Sequence, residues 1–147
     1  MKPIDSVGVP GVGVEAVRFG MSRSQVRQHM GEPRCSFSRV RGASQTDAWH
    51  EGCLYVEYDE SDCCCAIGVN QPCGMVVRGV NVSRLSPKDA IGWIQSIDPG
   101  ASEDADGITS VMLGLSLWIT VSQSNVDTDI CAIESVLVFS SEYGTSP

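Results

Sequence analysis

The sequence predicts an α+β fold: one domain made of two tandem helix-plus-antiparallel-sheet repeats, with the helices on one face of the sheet. Three observations predict it. Two short segments open on a serine followed by helix-favouring residues. Several later segments alternate apolar and polar residues with the period of a strand. Anchors in the two halves also recur at a near-constant offset, Ser22 to Ser86 (64 residues), Tyr55 to Trp118 (63) and Ala66 to Ala132 (66).

Repeat one is expected over about 15–82 and repeat two over about 83–143, with a loose lead-in at 1–14 and a loose tail at 140–147. The lead-in holds Gly8, Gly11, Gly13, Pro3 and Pro10, and predicts at most a short strand over Val12–Val17. No Lys-Ser/Thr pair follows its glycines, so it is not a phosphate loop. The first helix is predicted from Ser22 to Met30. Ser22 and Gln25 form a capping box, Val26 and Met30 share a face, Gly31 and Pro33 stop the helix, and Arg23 and Arg27 fall on its exposed side. The polar stretch Ser36–Thr46 predicts a strand and loop. Leu54, Val56 and Tyr58 alternate with Cys53, Tyr55 and Glu57, so Cys53–Tyr58 predicts a half-buried strand, joined to Cys63–Val69 as a hairpin. Met75–Val82 predicts a third strand.

The second helix is predicted over Ser86–Ile97, with Ser86 as N-cap and Pro87 at the first helical position, and it ends at Asp98-Pro99-Gly100. Every odd residue from Val111 to Val121 is apolar, the strongest strand pattern in the chain, with Gly114 as a possible break. Ser122–Asp129 predicts a polar turn and Cys131–Phe139 the last strand.

Composition narrows the function classes. The 147 residues are 42% hydrophobic and carry a net charge of -8, which supports a folded core and opposes general nucleic-acid binding. No apolar run approaches the ~18 residues of a membrane-spanning helix. The start, Met1-Lys2-Pro3-Ile4-Asp5, lacks the apolar stretch of a secretion signal, so a cytoplasmic location is expected. The charge is polarised: residues 1–50 hold 7 basic and 4 acidic groups, residues 51–147 hold 3 and 14. Acidic groups cluster in predicted turns, at Glu57-Asp59-Glu60-Asp62, Glu103-Asp104-Asp106 and Asp127-Asp129. If those turns point one way they form a single negative rim that would steer a basic partner.

The seven cysteines, at 35, 53, 63, 64, 65, 73 and 131, invite a zinc or thiol reading. Cys63 and Cys65 share a strand face and Cys73 follows a turn, but no C-x2-C knuckle is present, and free thiols in a core or on the surface are the expectation. A catalytic thiol would need a histidine base, and neither His29 nor His50 is fixed beside a cysteine by the sequence. Glu103–Gly107 has the flavour of a calcium loop, but Leu113 stands where a bidentate Glu is required. No enzyme activity, cofactor or metal is therefore expected.

The string Phe19-Gly20-Met21-Ser22…Val26…Met30-Gly31-Glu32-Pro33 resembles the helix motif of small bacterial proteins that open on Gly-Met-Ser/Thr and close on Leu-Gly-x-Pro. BamE-like outer-membrane assembly lipoproteins and secreted β-lactamase inhibitory proteins share it, the latter as two units in tandem. Asp98-Pro99…Asp106-Gly107-Ile108-Thr109-Ser110 and Ile133–Phe139 are similar to a cytoplasmic, toxin-immunity-type set. The chain lacks the lipidated cysteine of the first group. The inhibitors' one-disulfide-per-unit pattern would imply a Cys35–Cys53 bridge in the first unit and leaves Cys131 alone in the second. The resemblance implies a non-enzymatic cytoplasmic immunity or inhibitor protein that binds a cognate toxin, with a basic nuclease as one such partner. The alternatives are a BamE-like assembly or scaffold module and a zinc or thiol protein. The expected contact residues are Trp49, Tyr55, Tyr58, Asp59, Glu60, Asp62, Asp104, Asp106, Trp118, Asp127 and Asp129. No nucleic-acid or membrane partner is expected.

Overall fold

A computed structural model describes residues 4–38, 45–120, 132–141 and 143. Among them the chain forms β1 (Asp5–Val9), β2 (Gly13–Val14), β3 (Val17–Arg18), α1 (Arg23–Met30), β4 (Cys35–Ser38), β5 (Gln45–Trp49), β6 (Leu54–Tyr58), β7 (Cys64–Asn70), β8 (Gly74–Val77) and β9 (Val80–Asn81). Then follow α2 (Pro87–Ile97), β10 (Ser102–Glu103), β11 (Gly107–Ser110), β12 (Leu115–Thr120) and β13 (Ala132–Phe139).

Two sheets result. The large one runs β10-β11-β12-β13-β7-β6-β5-β4, antiparallel throughout, and the small one runs β3-β2-β1-β8-β9. The expectation of two tandem helix-plus-sheet repeats is thereby overturned. The protein is mostly β, with two sheets and, among the described residues, two α-helices. The 1–14 lead-in is the main reason. Its Ser6 and Gly8 point inward between exposed Asp5, Val7 and Val9, and β1 pairs in parallel with β8. The supposed lead-in is thus welded to a segment about 70 residues away, and the proposed boundary at 15 cuts through one sheet. The second reason is Arg78-Gly79. Both residues have positive φ, 52° and 78°, the backbone of a two-residue type I′ hairpin turn. That turn folds Met75–Val82 back on itself as β8 and β9, away from the large sheet.

The odd-numbered alternation from Val111 also misleads at its start. Val111–Gly114 is a turn, closed by Gly114 N–H donating to the Ser110 carbonyl (2.9 Å) and by Leu113 N–H donating to Ser110 Oγ (3.1 Å). Val111 is 80% exposed and Met112 66%, and the strand begins only at Leu115. Val121, the Ser122–Asp129 turn and Cys131 lie outside the described residues.

One face of the large sheet carries the core. Leu54, Val56, Ile67, Val69, Leu115, Leu117, Val136 and Val138 meet Val26 of α1, Ala90 and Ile94 of α2, and Val14, Val17, Met75 and Val77 of the small sheet. These side chains are nearly all below a tenth exposed, and each full burial contributes about 1.5–3 kcal/mol. The opposite face holds a smaller cluster of Ala48, Tyr55, Ala66, Leu137 and Phe139, against which Tyr143 packs. The Tyr55 ring lies over Gly68, its cross-strand partner, where a Cβ would collide with it.

Candidate functional site

Burial separates the expected contact residues sharply. Trp49 is a core residue whose indole N–H donates to the Gly31 carbonyl (3.1 Å) and fastens the end of α1. Tyr58 is equally buried, and its hydroxyl donates to Asp47 (2.9 Å). Tyr55 sits on the face opposite the main core as expected, yet it is buried in the small cluster, with its hydroxyl 3.4 Å from Ser135 Oγ. None of these three rings is offered to a partner. Trp118 is different: it is 49% exposed in the middle of a strand.

Its neighbours explain that exposure. Trp118 is flanked across the sheet by Gly107 on β11 and Ser135 on β13, both too small to cover an indole. Gly107, at φ 159°, approaches the β12 backbone so closely that a Cβ would strike the Leu117 carbonyl, so a larger shielding residue does not fit there. The register also slips between Trp118 and Ile119, an irregularity of the kind that re-aims a side chain. Beside the ring, the Thr109 and Ser116 hydroxyls bond each other at 2.9 Å. The result is one exposed aromatic ring set among small and hydroxylated residues.

The acidic turns do not form one rim. Gly107, Trp118, Ser135 and Asn70 stand in cross-strand register, so the 103–106 turn lies at the Asn70 end of β7. The 59–62 turn joins Tyr58 to Cys64 at the other end of β7. Six residues of strand, about 20 Å, part them. The two turns are also wired differently. Asp59 accepts from the Ser61 and Cys63 amides (2.9 and 3.0 Å) and shapes its own turn, while Asp62, at φ 62°, is bound to Arg23 and ties the turn to α1. Glu60 is exposed. In the other turn Asp104 accepts from the Asp106 and Gly107 amides (2.8 and 3.0 Å), and the Ile119 amide donates to the Asp106 carbonyl, which ties this turn to the strand of Trp118. Asp127 and Asp129 lie outside the described residues.

A buried charge that sequence reasoning missed is Asp47, fully inaccessible on β5. Arg27 binds it through two nitrogens (2.9 Å each), and Ser36 and Tyr58 donate hydroxyl bonds to it. Burial alone would raise this carboxyl. The bonds from Arg27, Ser36 and Tyr58, with the guanidinium charge, outweigh burial and hold it below its ordinary value. Arg27 is raised in turn by its bond to Asp47, and Tyr58 is raised by burial and by the carboxylate. Arg27 is therefore a structural clamp, not a group on an open helix face. The sequence signal was present in a lone Asp between Thr46 and Ala48 on a strand otherwise free of charge. Arg27, Ser36 and Tyr58 all converge on Asp47, which is the pattern of a structural support.

The cysteines disperse. Cys64 faces the main core, and burial first and Cys65 second push its thiol up to about 12. Cys65 is pushed to about 12 by burial and Glu57, and its thiol points to the Glu57 carbonyl (3.4 Å). Neither is a thiolate at neutral pH. Cys73 lies beyond the far end of β7, about 17 Å of strand or more from Cys65, so a Cys63–Cys65–Cys73 set does not converge. Cys73 is instead next to Cys53, and burial raises its thiol. Cys35 is exposed on β4 opposite Ala48 while Cys53 is buried, and both are free thiols. Among the described residues no group of three or more His, Cys, Asp or Glu is placed to hold a metal ion, and no helix is long and apolar enough to cross a membrane.

No known protein family, curated protein or solved structure matches this chain.

Proposed function

We propose that the protein is a non-enzymatic, stoichiometric binder that captures a basic protein partner at the Trp118 end of the large sheet. The carrying observation is the half-exposed Trp118 indole beside the Glu103–Asp106 turn. Tryptophan is among the residue types most enriched at the energetic centres of protein interfaces. The neighbouring carboxylates, on a chain of net charge -8, favour a partner of opposite sign and speed its approach. The thiols at Cys64 and Cys65 are protonated and sequestered, in keeping with binding without covalent chemistry. The sequence resemblance to cytoplasmic immunity-type proteins narrows the partner to a cognate toxin, which bound protein would block sterically.

The test is association kinetics with the product of the neighbouring gene between 50 and 300 mM salt, an interval of about the ionic strengths over which screening changes most. The expected result is tight one-to-one binding whose association rate falls with salt. Glu103→Gln with Asp106→Asn should slow association and flatten that dependence. An association rate indifferent to salt would remove the electrostatic part of the reading.

A second reading, strand addition by a scaffold partner, is favoured by β4. It is an edge strand with all four residues exposed, including Phe37 at 40%. It predicts that Phe37→Ala, and not Trp118→Ala, weakens the complex.

A further inference from the structure

We infer that the cleft between the two sheets is a binding site for a small apolar amine. The cleft measures about 300 Å³, within the range of small-molecule sites and equal to roughly ten waters of liquid volume. Its walls are Ile67, Leu54 and Val56 of the large sheet, Val14 and Val17 of the small one, and Met30 at the end of α1. The cleft opens to solvent past the exposed Asp5, Glu15 and His50, and core side chains of both sheets form its apolar floor. Such walls offer water few hydrogen-bond partners, and an apolar ligand fills them better than solvent does.

Four polar residues border the lining, and their chemistry sets the head group. Asp5, Ser6, Glu15 and His50 border the cleft, and no Lys or Arg does among the described residues. Asp5 is paired with Arg84 at 3.3 Å, which leaves Glu15 as the lining carboxylate without a cationic partner among the described residues. Its Oε1 accepts from the Val7 amide (3.0 Å), which fixes the side chain. An ammonium group is therefore favoured over a carboxylate. Glu15 and His50 both hold left-handed backbones, φ 51° each, a conformation that non-glycine residues rarely adopt. Both stand in tight turns at the border of the cleft. The cleft and Trp118 use different surfaces, so this inference stands apart from the proposed partner binding.

The experiment titrates purified full-length protein with the neutral fluorescent probe N-phenyl-1-naphthylamine. It then displaces the probe with octylamine or octanoate at pH 7. The expected result is saturable probe binding, displacement by octylamine about tenfold more effectively than by octanoate, and a melting temperature that rises with octylamine. Val17→Phe, which fills the cleft, should abolish probe binding at unchanged or higher melting temperature. If that variant fails to fold, Glu15→Gln decides. It should leave probe binding intact and bring octylamine and octanoate to within about twofold of each other. Absence of saturable probe binding, or binding undiminished in folded Val17→Phe, would overturn the site. Equal displacement by amine and carboxylate in the wild-type protein would overturn the ligand class.

Discussion

The two helices begin alike and are held by opposite means. Ser22 and Ser86 each accept from the backbone amide three residues on (3.2 Å in both cases), and Ser22 completes a full capping box with Gln25. Beyond the cap they diverge. Over eight residues α1 buries only Val26, and it is fastened by polar contacts. Arg27 reaches Asp47, Arg23 reaches Asp62 and Gln45 and lies 4.9 Å over the Tyr58 ring, and Trp49 secures the Gly31 carbonyl. The eleven residues of α2 bury Ala90 and Ile94 and rest Ile91, Trp93 and Ile97 against the core, with one polar tie where Ser110 donates to Asp98 (2.7 Å). The difference teaches that a shared cap specifies where a helix starts but not what holds it to the sheet. Electrostatic anchoring of α1 makes it sensitive to pH, and the apolar contacts of Ala90 and Ile94 that anchor α2 carry no such sensitivity.

Substitutions sharpen that contrast. Arg27→Ala strands a fully buried carboxylate and should cost about 3–5 kcal/mol in urea unfolding, the largest single effect on the α1 side. Ile94→Ala should cost about 2–4 kcal/mol through lost burial and a cavity. Acid separates the two. The folded-state value of Asp47 lies below its ordinary value, so its stabilisation is complete above the ordinary carboxylate value of about 4 and disappears as pH falls through and below it. The stability gap between wild type and Asp47→Asn should therefore shrink as pH is lowered below about 4, while the gap for Ile94→Ala stays constant. Equal pH dependence of the two gaps would break the contrast. Smaller still, Ser22→Ala and Ser86→Ala should each cost about 1 kcal/mol, because each strands one backbone amide.

The same contrast explains what was legible in the sequence. Both helices, their caps and the central strands β6, β7, β12 and β13 of the large sheet follow from local signals, because Ser caps, Gly-Pro stops and period-2 alternation act over a few residues, whereas β5, β10 and β11 are too short or too polar to show that alternation. Non-local events were not readable. Nothing between Asp5 and Val9 announces a parallel partner at Gly74–Val77, and a lead-in rich in Gly and Pro looks loose until β8 supplies its hydrogen bonds. Aromatic side chains were the other blind spot. Tyr55 and Trp118 both stand on the face away from the main core, yet Tyr55 is buried among Ala48, Ala66, Leu137 and Phe139 while Trp118 is half exposed, and only the neighbouring strands decide that.

Trp118→Ala should be the mildest change to the fold, below about 1 kcal/mol, because half the ring is already in water. That makes it the direct probe of the proposed binding surface. The deciding measurement is the equilibrium dissociation constant for the neighbouring gene product, taken for wild type, Trp118→Ala and Phe37→Ala, with the melting temperature of each. The binding surface described here predicts at least a thirtyfold loss of affinity for Trp118→Ala, about 2 kcal/mol, at an essentially unchanged melting temperature. Phe37→Ala should bind as wild type does. Full affinity in Trp118→Ala would contradict the assignment of this surface.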